Sequence, residues 1–202
     1  MSYSAFLPIY HNCRYNQYCE KKFFYSKIKY LICNRKQKQK TMSCDIHSFC
    51  ETKNKSGKWN TVGEVFTTLS YGNDNKWYGK PTEEPIHWQD YSLFGFLANV
   101  RNYDGSEVLS EPKDLPKDVS DEVKDSAEEW RGNAHSHSYF TLEELLAFDY
   151  DKTLVIQRDG CENYGKTLTY RENLGSNWFD TLDVMKTLGA PADVRIVFWF
   201  DN

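Results

Sequence analysis

The chain has 202 residues, 40% of them hydrophobic and 27% charged, with a formal net charge of −4. That composition is globular rather than disordered, and no apolar run approaches the roughly 18–20 residues a membrane span needs. The charge is split: residues 1–41 carry nine Lys/Arg against the single acid Glu20, while the remainder carries 16 bases and 28 acids, a balance of −12.

Residues 1–41 therefore read as a basic extension outside the fold. Three readings compete for it: an arm for nucleic acid or another anionic surface, a solvated tail, or sequence translated from upstream of a usual start at Met42. The last is preferred. The apolar segment near Ala5–Ile9 is short, broken by Pro8 and preceded by no basic residue, so no secretory signal is expected. Residues 42–202 are long enough for one domain with its own core. Of the six cysteines, Cys44, Cys50 and Cys161 fall in this body, an odd number with no CxxC pair, so reduced thiols in the cytoplasm are expected.

From Met42 the pattern becomes orderly. Residues 44–51 and 58–66 read as strands of an opening hairpin across the polar loop 53–57. A surface loop is expected around residues 72–81, which are rich in Gly, Asn and Asp. Asp90 precedes an apolar helix carrying Leu93, Leu97 and Val100 on one stripe. After the linker marked by Pro112 and Pro116, Ser120 caps a helix with Val123, Ala127 and Trp130 on its buried face. Thr141 and Glu144 form a capping box, and strands are expected over residues 153–157 and 166–171. A last helix is expected over 177–188. The nearly continuous apolar run 194–200 predicts a central strand buried on both faces. The result is a single α+β (or α/β) domain with a mixed sheet, three to four helices, and the N-terminal hairpin and C-terminal strand in one sheet.

Two motifs carry ligand-type groups: Asp45-Ile46-His47 and His135-Ser136-His137. In an extended segment residues i and i+2 project to one side, so Asp45, His47, His135 and His137 are expected to converge on one divalent metal such as zinc, or else to be hydrogen-bonding turn residues. A second reading uses Ser136 and Ser138 ahead of the Thr141 helix as an anion site, with Arg101 and Arg195 as counter-charges. Surface ion pairs are the bland account of those arginines. Cys44 should point away from His47, which disfavours a thiol nucleophile. No Walker loop, GxGxxG or GxSxG is present. Trp77 and Trp88 lie in loop-like sequence and are the better aromatic binding candidates.

The opening 42–47, the stretch 135–146 and the ending 193–202 resemble a family of uncharacterised phage and prophage proteins. The resemblance implies a viral or prophage source, a host-cytoplasm location and a start at Met42, and it implies no reaction. The expected function is an accessory protein that binds or hydrolyses a phosphorylated small molecule or nucleotide signal, if an enzyme then as a metal-dependent phosphoester hydrolase. The alternative is a non-enzymatic protein-binding inhibitor of a host factor. Duplex nucleic acid is not expected as a partner of so acidic a body, and neither is a membrane.

Overall fold

The computed structural model describes residues 43–202; the basic arm and the expected start at Met42 lie outside the described residues. The terminal strand organises them. β8 (Val194–Asp201) sits between β1 (Asp45–Lys53) and β5 (His135–Thr141), with β2 (Trp59–Thr61) outside β1, in a sheet of order β2-β1-β8-β5 whose pairs are all antiparallel. Every side chain from Val194 to Phe200 is buried, as the apolar run implied.

Alternation along β8 sends Arg195, Val197, Trp199 and Asp201 to one face and Ile196, Phe198 and Phe200 to the other. Helix α2 (Asp121–Glu129) covers the first face, packing Val123 and Ala127 on Val197 and Trp199. On the second face lies α1 (Tyr91–Ala98), whose Phe94 meets Phe200 edge-on at 5.1 Å. Helices α3 (Leu142–Ala147) and α4 (Tyr170–Lys186) complete that side, with Trp178, Leu182 and Met185 of α4 buried. The α+β class and the shared sheet of hairpin and terminal strand are as expected, but the sheet is antiparallel throughout and not mixed.

The caps explain where the helices begin. Asp90 accepts from the Ser92 and Leu93 amides, Ser120 from Val123, and Thr141 forms the expected reciprocal box with Glu144. A second capping box, Thr169 with Glu172, starts α4 seven residues before the expected position; residues 166–171 are part short strand β7 (Thr167–Thr169) and part helix. Strand β7 pairs with β6 (Thr153–Val155). Gly175, at φ 73°, kinks α4 near its start, a backbone setting that glycine adopts without strain.

The expected loop at 72–81 is instead half of a second hairpin. β3 (Phe66–Tyr71) and β4 (Trp77–Thr82) pair antiparallel in a two-stranded sheet of their own. Residues 58–66 divide accordingly: they supply β2, a break at Val62-Gly63-Glu64-Val65, and the first residue of β3. Among the described residues no helix is long and apolar enough to cross a membrane.

Candidate functional site

On β1 the backbone is regular, so Asp45 and His47 share a face as expected, opposite Asp201 and Trp199 of β8. The His47 ring lies 4.0 Å from Trp130 and 5.9 Å from Trp199, with Nε2 3.3 Å from Asp201 Oδ2. The Asp45 N–H donates to Asp201 Oδ1 at 3.2 Å, and the Gln89 amide donates to Asp45 Oδ1 at 3.1 Å. Cys44 is turned to the opposite face and buried; burial raises its thiol, and pushes that of Cys50 up to about 12. Both shifts disfavour the thiolate that a nucleophile needs.

The second motif does not behave as spacing implied. Ser138 pairs with Phe198 but His135 pairs with Phe200, so β5 holds one residue more than its partner in this interval: a β-bulge, with Ser136 left-handed at φ 54°. The extra residue separates the two imidazoles. His137 stacks on Trp199 at 5.7 Å, on the face of Asp45 and His47, whereas His135 stacks on Phe200 at 6.1 Å, on the other. The expected convergence of Asp45, His47 and His135 is thereby overturned, and among the described residues no group of three or more His, Cys, Asp or Glu side chains could hold a metal ion. Burial also holds the His137 imidazole below the usual histidine range.

The anion reading of Ser136 and Ser138 meets a similar obstacle. The first turn of α3 is closed by its own capping box and carries Glu143 and Glu144, which repel an anion. Ser138 is fully buried and its hydroxyl accepts from the Lys113 N–H at 3.2 Å. The Asn202 amide donates to His135 Nε2 at 2.9 Å, leaving the proton on Nδ1, 3.0 Å from Ser136 Oγ. Arg101 donates to Asn202 Oδ1 at 3.1 Å and to the Tyr103 hydroxyl at 3.4 Å. Arg195 is remote from that group, since five residues of β8 lie between it and Asp201, roughly 20 Å of strand.

Arg195 is a buried residue, not a surface one. It is 3% exposed; its Nε donates to Glu51 Oε2 at 2.7 Å, Nη1 to Asp118 Oδ1 at 2.8 Å and Nη2 to Asp118 O at 3.2 Å. The other Glu51 oxygen accepts from the Ser120 N–H at 2.7 Å, and the Trp59 indole N–H donates to Asp118 at 3.0 Å. The guanidinium also lies 4.0 Å from the Trp59 ring centroid and, as the first cause, holds the Asp118 carboxyl below its usual range. This network ties the start of α2 to the sheet. Above it opens a cleft of about 500 Å³ bordered by Trp59, Tyr139, Lys53 and Lys117.

The β3–β4 hairpin presents the other notable surface. Pairing puts Thr67, Leu69, Tyr71, Trp77 and Pro81 on one face. Leu69, Tyr71 and Trp77 are each about half exposed, and the Tyr71 and Trp77 rings meet at 5.0 Å. Phe66, on the opposite face, is buried. Trp77 was singled out in the sequence as a binding candidate; its strand and its apolar neighbours were not. Trp88, the other candidate, is half-buried with its ring against His87. Comparison with protein families, curated proteins and solved structures finds no match to this chain.

Proposed function

We propose that the chain is a non-enzymatic protein-binding module that sequesters or inhibits a host factor, docking through the exposed face of the β3–β4 hairpin. The observation that carries this reading is the cluster Leu69, Tyr71 and Trp77, large apolar side chains half in water on a hairpin outside the main sheet. Tyr and Trp dominate the energetics of protein interfaces because each buries a large, rigid area at small entropic cost. The resemblance to phage proteins points to a bacterial host as the source of the partner. The test is affinity capture from such a host with the wild-type chain, Tyr71→Ser and Trp77→Ser, followed by reconstitution with the purified partner. A specific partner should bind the wild-type chain and lose at least tenfold in affinity with either variant, about 1.4 kcal/mol or more. A partner bound equally by all three would sink the reading.

A second reading, a site for a phosphorylated small molecule, keeps the support of the Arg195 cleft alone, which Lys53 and Lys117 line together with Trp59 and Tyr139. Asp118 in the same cleft opposes an anion, which ranks this reading second. Titration calorimetry with a nucleoside monophosphate should give heat that disappears in Lys117→Ala; no heat with the wild-type chain removes it.

A further inference from the structure

We infer that the outer edge of β3 pairs with β3 of a second copy of this chain, joining two hairpins into one four-stranded antiparallel sheet. The inference concerns the edge of the hairpin and does not depend on the partner reading, which concerns its face.

Hydrogen-bond alternation fixes which groups are available. The Gly72 N–H donates to Lys76 C=O at 2.7 Å, so, counting back by twos along the register, Ser70, Thr68 and Phe66 exchange their backbone bonds with Tyr78, Lys80 and Thr82. Thr67, Leu69 and Tyr71 then turn their N–H and C=O groups outward. Pro81 checks the assignment independently: opposite Thr67 it occupies an outward position of β4, the only kind a residue without an N–H can take in a ladder.

The two edges of the hairpin differ in kind. β4 carries Lys80 and Pro81, devices by which natural edges resist pairing, and Gly79, which weakens a strand. β3 reads Phe-Thr-Thr-Leu-Ser-Tyr, with no charge, no proline and no glycine, and among the described residues nothing pairs with its outer side. Such an edge is a template for another strand, and a hairpin of two strands gains stability by becoming part of a wider sheet.

A second copy is the occupant that the register fits. With Leu69 on a two-fold axis, Leu69 faces the second copy's Leu69 and Thr67 faces the second copy's Tyr71, so the same outward groups meet on both sides. No like charges are brought together, because β3 has none. The blunted β4 edges terminate the assembly, which closes as a dimer instead of growing into a fibre. The apolar faces of the two hairpins become continuous.

The experiment is light scattering on the full chain after size exclusion. The wild-type protein should show twice the single-chain mass of 23.8 kDa. Thr67→Pro removes an outward N–H while leaving Leu69, Tyr71 and Trp77 intact, and should halve that mass with an unchanged circular dichroism spectrum. If Thr67→Pro does not fold, Leu69→Lys decides, since it sets two ammonium groups against each other at the axis. A wild-type chain that stays single at its highest soluble concentration, or a folded variant that remains dimeric, overturns the inference. Partner capture separates the readings: folded Thr67→Pro keeps the face for a protein partner, whereas Trp77→Ser keeps the edge for the dimer.

Discussion

The Asp90 carboxylate caps α1, yet burial, the largest influence on it, lifts its pKa from the ordinary 3.8 to about 6. Between those values the folded chain binds more proton at this site than the unfolded chain does. The site's contribution to stability is therefore complete below pH 3.8, is lost as pH rises to about 6, and is constant above. Asn at this position caps equally well and carries no charge. Asp90→Asn should accordingly gain on the wild type as pH rises from about 4 to about 7, by up to about 2 kcal/mol. Urea unfolding at the two pH values measures it; a difference independent of pH would contradict the assignment. At Arg195 the expected cost has the opposite sign. Arg195→Met leaves Glu51 buried without its cation and should lose about 3–5 kcal/mol, much of which returns in the double variant with Glu51→Gln. The same unfolding assay reads both, and equal stability of single and double variants would show that the pair is not coupled. A charge inside an apolar strand was visible in the sequence; its partners, 144 and 77 residues away, were not, because nothing local specifies them.

Most elements with a strong local signature are legible in the sequence, and those whose cause is tertiary are not. β8 was evident because a strand covered on both faces has no polar alternation to disguise it. The β5 bulge was not, since it requires a left-handed backbone at Ser136, where no glycine or asparagine announced it. Its consequence reached the candidate site: a single inserted residue moved His135 to the wrong face and dissolved the expected four-ligand centre. β4 reads as loop in the sequence because Gly79 and Pro81 are turn residues in most contexts, whereas in the structure they belong to an exposed edge. The α4 cap was legible as Thr-x-x-Glu but was absorbed into a strand assignment, and Thr169 in fact ends β7 and caps α4 at once. β8 supplies the prediction at this scale. Ending the chain before Asp193 removes Ile196, Val197, Phe198 and Phe200 from both layers, at about 1.5–3 kcal/mol for each large side chain, against a total stability of about 5–15. Such a chain should be insoluble or lack a cooperative thermal transition; a soluble, cooperative one would place the core elsewhere.

At the scale of the whole molecule the charge distribution and the hairpin edge act against each other. Each chain carries −4, and residues 42–202 by themselves carry −12, so two copies approaching at neutral pH repel. The β3 edge that draws them together has no ionic contact for salt to weaken. Screening therefore removes a penalty and no attraction: the Debye length falls from about 30 Å at 0.01 M salt to about 10 Å at 0.1 M. Dimerisation should tighten severalfold across that range and then level off, as measured by sedimentation equilibrium. A chain beginning at Met42, stripped of the +8 of residues 1–41, should show the steeper dependence because its repulsion is greater. Dimerisation that weakens with added salt would mean that ion pairs hold the two copies together, and such pairs cannot come from a strand composed only of Phe, Thr, Leu, Ser and Tyr.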